Sequence, residues 1–169
     1  MIVNPMRTVR RAKMLVRRDD TLGTVLHSLA AIHRDARLVE EADSGLRITY
    51  RQGAKRVGHW AGGIAAKVSP GDRVVIATPN GYEQFLLCLA ASRAGAIPVP
   101  INEQMRPDEI AHVIADSGAR VVIRSATEVD AGADLVVPAP AAQSDIAALF
   151  YTSGTTGKPK GVELTHRAL

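Results

Sequence analysis

Cys88 is the only cysteine, so neither an intramolecular disulfide nor a cysteine-cluster metal site can form. It sits in the apolar run Phe85-Leu86-Leu87-Cys88-Leu89-Ala90, where it reads as a small buried hydrophobe and not as a nucleophile. Aromatic residues make up 4% of the chain, too few for a base-stacking nucleic-acid surface. No uninterrupted apolar stretch approaches the ~20 residues of a membrane span. Acidic side chains are missing altogether from residues 1–18, which carry Arg7, Arg10, Arg11, Lys13, Arg17 and Arg18. Those cations leave no room for a secretory apolar core.

The net charge of +4 comes from this leader, because the rest of the chain has slightly more acids than bases. The body is near neutral, which removes the basic face that nucleic-acid binding needs. As a helix, the leader would set Met6, Val9 and Val16 on one side and Arg7, Arg11 and Arg18 on the other. That pattern reads as a weak membrane-surface or partner-binding arm. The plain reading is a solvated helical or mobile segment ahead of the domain, and an Arg-rich transit peptide is a still weaker option. A cytoplasmic protein, free or peripheral at a membrane, is expected. With 46% hydrophobic residues over 169 positions, one globular domain can bury most of its apolar surface.

Asp20 is placed to cap a helix with apolar positions Leu22, Val25, Leu26, Leu29 and Ile32. Short strands are predicted at 37–40 and 46–48 around the turn Asp43-Ser44-Gly45, then a helix from the capping box Thr49-x-x-Gln52 to about residue 67. Its glycines, Gly53, Gly58, Gly62 and Gly63, weaken a helix and imply close packing against a neighbour. Strands at 74–77 and 96–101, the latter an edge or irregular strand with Pro98 and Pro100, flank a buried helix at 82–94. A helix over 107–117, ended by Gly118, leads to a strand at 120–123. This alternation predicts an α/β fold with a largely parallel sheet and flanking helices. Residues 125–142 read as a loop holding a short strand at 135–137, and 146–151 as a final buried strand.

That strand runs into Tyr151-Thr152-Ser153-Gly154-Thr155-Thr156-Gly157-Lys158-Pro159-Lys160-Gly161-Val162. Three glycines allow the backbone N–H groups to turn inward as an anion nest, while hydroxyls and lysines add donors and charge. A Walker A loop is excluded, since Gly154-x-x-Gly157-Lys158 has the wrong spacing and Pro159 stands where Ser or Thr is required.

Position by position from Thr152 to Gly161, the segment resembles the signature loop of the adenylate-forming superfamily. That superfamily comprises acyl-CoA synthetases, adenylation domains of peptide synthetases and luciferases. Ile48-Thr49-Tyr50, Ser69-Pro70-Gly71-Asp72-Arg73-Val74, residues 94–102 and Asp116-Ser117-Gly118-Ala119-Arg120 look like the family's earlier blocks, in order. The chain looks most like a fatty-acid–CoA ligase. The resemblance implies that residues 19–169 are the N-terminal part of the large AMP-binding domain, truncated just after the phosphate loop. It implies ATP, Mg2+ and coenzyme A as cofactors, and a fatty or other organic acid as substrate. The acid is activated as acyl-AMP and passed to coenzyme A or, alternatively, to a carrier protein. Thr152, Ser153, Gly154, Thr155, Thr156, Gly157 and Lys160 would cradle the β- and γ-phosphates. The family's aromatic-Gly-x-Thr-Glu block, ribose-binding aspartate and catalytic lysine belong downstream, so no catalytic residue is assigned here and the fragment alone is expected to be inactive. A non-catalytic module using the basic leader is the reading from another class.

The remaining signals are weaker. His27 and His33 do not share a helical face, and His59 and His112 stand alone, so no metal site is assigned. His166 either lines the site or begins a helix with Thr165. Trp60, with Val57, Ala61 and Ile64 at helical spacing, reads as core or interface, and Asp108-Glu109 suit a helix N-terminus.

Overall fold

The structure, a computed structural model, describes residues 19–42, 44–130, 133–152 and 158–169. The basic leader, Asp43 of the first turn and residues 153–157 of the glycine-rich loop lie outside them. In chain order the elements are α1 (Val25–His33), β1 (Arg37–Glu40), β2 (Arg47–Thr49), α2 (Tyr50–Ala65), β3 (Arg73–Ile76), α3 (Tyr82–Arg93), β4 (Ile97–Pro100), α4 (Pro107–Ser117), β5 (Val121–Ile123), a 3-10 turn (Ala126–Val129), β6 (Ile146–Thr152) and β7 (Lys160–Thr165).

The centre is a parallel sheet in the order β4-β3-β5. Side chains alternate across β3 with the period of a strand, so each face takes its own core. Val74 and Ile76 join Ile123 against α2 and α3, through Val57, Trp60, Ile64, Leu86 and Leu89. Val75 joins Val99 and Val113 on the other face, with Leu149 and Tyr151 of β6 packed against them. The two helices that connect the strands therefore lie on opposite faces, as in a doubly wound sheet. Antiparallel pairs β1–β2 and β6–β7 flank this sheet.

The prolines of β4 decide where the sheet stops. The Ile97 and Ile101 N–H groups donate inward, to Asp72 and Ile76 of the β3 side. Alternation puts the nitrogens of Pro98 and Pro100 on the outer edge, where they have no hydrogen to donate. The expected edge strand is thus an edge for a stated reason. β6 packs beside it without joining its ladder.

Local signals behave as chemistry dictates in most places. Thr49 and Gln52 complete the predicted capping box at α2, and Gly118 ends α4 with φ +61°. A Cβ on Gly53 would meet Leu38 at 2.6 Å, and one on Gly62 or Gly63 would enter the backbone of Ala133 or Val129. Gly58 is the exception, with its nearest neighbour at 3.8 Å.

Three expectations are corrected. Asp20 is not the cap of α1, which starts at Val25 after Thr24; its carboxylate instead accepts from the hydroxyls of Thr24 and Ser28, at 3.1 and 2.6 Å. Residues 135–137 form no strand; the carbonyls of Leu135 and Val136 serve the guanidinium of Arg93. That guanidinium, 3% exposed, donates to the carbonyls of Leu135 (3.0 Å), Val136 and Gly23 (3.4 Å). Buried without a carboxylate, it binds two chain segments through three carbonyl dipoles. Third, Thr165-His166 opens no helix: Thr165 ends β7 and a turn follows. β7 itself was not anticipated.

His166 is buried, and its Nδ1 accepts from the Leu22 N–H at 3.0 Å, tying the segment after β7 to the segment before α1. A neutral ring is required, and burial holds its pKa below the ordinary value. His27 is pushed down to about 4, by burial first and by the Arg93 charge second. Below 6.5 the unfolded chain takes up protons that these folded histidines refuse, so stability present above that value is lost as pH falls towards about 4. His59 has the opposite sign: its raised pKa, caused first by the Asp134 hydrogen bond, gives stability lost on raising pH, but the ring is exposed and the effect small.

Two outcomes are expected. Gly63→Ala lowers the unfolding free energy by about 1–3 kcal/mol through overpacking, whereas Gly58→Ala raises it by about 0.5–1 kcal/mol. Urea melts of the two variants check this, and equal midpoints would contradict it. The thermal midpoint at about pH 5 falls below that at about pH 7.5, and His27→Gln narrows the gap. A gap unchanged by that substitution would show that His27 is not its source.

Candidate functional site

The glycine-rich loop is the connection of a hairpin. β6 and β7 pair antiparallel with Tyr151 opposite Gly161 and Thr152 opposite Lys160. Directly opposed residues share a face, so the Thr152 and Lys160 side chains emerge together at the mouth. Both residues are exposed. The candidates Ser153, Gly154, Thr155, Thr156 and Gly157 belong to the connection between them. Phe150 and Val162, another opposed pair, continue the same outer face, 39% and 44% exposed.

The inner face of the hairpin is fastened to α4. Tyr151 donates from its hydroxyl to Asp116 Oδ2 at 2.7 Å. Its ring passes over Gly161, where a Cβ would lie 3.2 Å from the Tyr151 Cζ. Burial, then the Asp116 hydrogen bond and charge, raise the pKa of this phenol, so it stays protonated and donates. On the other side of the loop, His112 Nε2 lies 3.0 Å from the Pro159 carbonyl oxygen. A carbonyl only accepts, so Nε2 carries a proton. Pro159 is buried and precedes Lys160 directly. His112 and Asp116, four residues apart on one helix, thus hold the two roots of the loop.

These tethers were missed in the sequence. In the sequence His112 stands as a solitary histidine and Asp116 as part of a motif block; their helical spacing is the one signal that joins them. Next to them lies a cavity of about 570 Å³, lined by residues that include Arg73, Asp116, Leu149, Tyr151 and Glu163.

The other candidates lie elsewhere. His166 follows the far end of β7, roughly 17 Å from the loop mouth at the rise of a strand, and does not border it. Burial pushes the Cys88 thiol up to about 12, which leaves it protonated and unreactive. Trp60 is core, 4% exposed, and its indole N–H donates to Asp130 at 3.3 Å. A cavity of about 480 Å³ beside it, lined by Arg56, His59 and Tyr82, lies on the opposite side of the parallel sheet from the hairpin. Its polar groups already bond one another: Arg56 to Tyr82 at 3.3 Å and His59 to Asp134 at 2.9 Å. Among the described residues no group of three or more metal-ligating side chains is gathered, and no helix is long and apolar enough to cross a membrane.

Feruloyl-CoA synthase from an Amycolatopsis species is 37% identical over 142 residues, covering 72% of this chain and 29% of that enzyme. The long-chain-fatty-acid–CoA ligase FadD13 of Mycobacterium tuberculosis is 31% identical over 178 residues, covering 88% and 35%. This chain therefore spans about a third of the length of these relatives. Among solved structures, the inhibitor-bound N-terminal domain of FACL13 from Mycobacterium tuberculosis superposes with a TM-score of 0.77 at 28% identity, over 86% of this chain and 44% of that one. The fold is thus an N-terminal subdomain of the adenylate-forming type. The family model described as AMP-binding enzyme matches residues 27–138 and 125–169, and the chain belongs to that family.

Proposed function

We propose that this chain is the phosphate-binding part of an ATP-dependent, AMP-forming acid–thiol ligase. The ligase activates a fatty or other organic acid as acyl-AMP and passes the acyl group to coenzyme A. The carrying observation is the hairpin register, which sets Thr152 and Lys160 side by side at the mouth of a connection rich in glycine and hydroxyls. In this reading residues 19–169 form the first part of the large nucleotide-binding domain.

The chemistry assigns the loop a leaving-group role. A carboxylate oxygen of the acid attacks the α-phosphorus of ATP, and the bond to the oxygen bridging to the β-phosphorus breaks. Pyrophosphate departs with the negative charge. The Lys160 ammonium and the donors of Thr152, Ser153, Gly154, Thr155, Thr156 and Gly157 stabilise that growing charge. Magnesium would be carried on the phosphate oxygens and neutralise charge there. A thiolate then attacks the acyl carbonyl and displaces AMP. Coenzyme A is the favoured thiol because feruloyl-CoA synthase and FadD13, both similar to this chain, are named for it.

ATP–pyrophosphate exchange by the full-length protein over a panel of carboxylic acids tests the reading, and exchange with none of them would refute it. Lys160→Ala lowers exchange by about 10–100-fold, the loss of one charge-assisted contact, whereas Lys158→Ala changes it far less. Transfer to a carrier protein but not to coenzyme A would reassign the acceptor. The 169 residues alone bind ATP no tighter than inorganic pyrophosphate, since the sequence contains no adenine-binding aromatic-Gly-x-Thr-Glu block. Micromolar ATP affinity by calorimetry would contradict this.

A further inference from the structure

We infer that His112 and Asp116 of α4 are positioning residues for the phosphate loop, fixing its two roots through Pro159 and Tyr151. The inference rests on the phosphate-binding reading of the loop for its purpose, though not for its geometry.

Three observations carry it. The contacts are paired, one on each side of the connection: Asp116 holds Tyr151 just before it, and His112 holds Pro159 at its end. They come from one helix at a spacing of four residues, so α4 fixes where the two roots, already paired across the β6–β7 ladder, sit against the domain. Finally, the bonded atoms adjoin the residues whose orientation matters. Tyr151 precedes Thr152, and the Pro159 carbonyl belongs to the peptide that leads into Lys160. A change in either root therefore rotates the hydroxyl or the ammonium at the mouth.

Among the described residues, the hydrogen bonds of both side chains to the hairpin are with the loop roots. Asp116 engages the inner-face tyrosine, and His112 bonds the backbone carbonyl of Pro159. Their role is exerted through the backbone, and it predicts a chemical signature. His112→Gln retains an N–H donor and Asp116→Asn retains an oxygen acceptor, so both should substitute in part. His112→Ala, Asp116→Ala and Tyr151→Phe should not.

The test is amide hydrogen exchange and pyrophosphate titration by NMR on the 169-residue chain. In His112→Ala and Asp116→Ala, exchange at Thr152, Lys160 and Gly161 speeds up about 5–10-fold, the size expected from one hydrogen bond, while Val57 and Val75 exchange as in the wild type. Pyrophosphate affinity falls by a similar factor, and His112→Gln and Asp116→Asn recover most of both losses. Wild-type exchange at the loop roots in both alanine variants would overturn the inference, as would equal acceleration throughout the core. The phosphate reading fails separately, if millimolar pyrophosphate shifts no loop resonance of the wild type; the exchange data still decide whether α4 holds the roots.

Discussion

Two missing hydrogens at the edge of β4 shape everything around the loop. Pro98 and Pro100 turn their nitrogens outward, so no further strand can be added to the parallel sheet by the usual ladder. The β6–β7 hairpin lies beside that edge as an independent two-stranded unit. Such a unit is marginal by itself, and its position must come from side chains. Leu149 and Tyr151 supply the packing, in the layer with Val75, Val99 and Val113.

Magnitudes separate the tasks of packing and tethering. Burying a side chain the size of leucine contributes about 1.5–3 kcal/mol, whereas a hydrogen bond such as Tyr151–Asp116 contributes about 0.5–1.5 kcal/mol. The apolar underside therefore holds the hairpin against β4 and α4. Dispersion and burial are non-directional, however, and tolerate sliding of the strand pair. The two hydrogen bonds to α4 have fixed geometry and remove that freedom. Gly161 belongs to the same device, because any side chain there would displace the Tyr151 ring from its path to Asp116.

The legible parts of the sequence were those governed by local chemistry. The capping box at Thr49, the Gly118 terminator, the apolar strand at 74–77 and the proline-marked edge depend on neighbours within a few residues, and each is found where it was expected. Long-range partners were not legible. Arg93 reads as an ordinary helix-end cation, and only the fold shows that it binds carbonyls at positions 23, 135 and 136. β7 was hidden because its short Val162-Glu163-Leu164-Thr165 alternation becomes a strand only when β6 is alongside. The loop was legible as chemistry through its composition, but its roots were not, since the partners of Tyr151 and Pro159 lie 35 and 47 residues away.

In the proposed phosphate-binding role, the hairpin setting puts the weight on side chains. A loop that opens a helix borrows about half an elementary charge from the macrodipole at the helix N-terminus. A hairpin has no such resource, because the dipoles of its strands nearly cancel. Pro159 disfavours helical geometry at Lys158, and the chain enters β7 at Lys160. In that proposed role, positive charge at the mouth would then come chiefly from the Lys160 side chain. A lysine is a point charge on a flexible stem, so its value depends on where its root is aimed. That dependence is what gives the anchoring of Pro159 by His112 a consequence beyond stability.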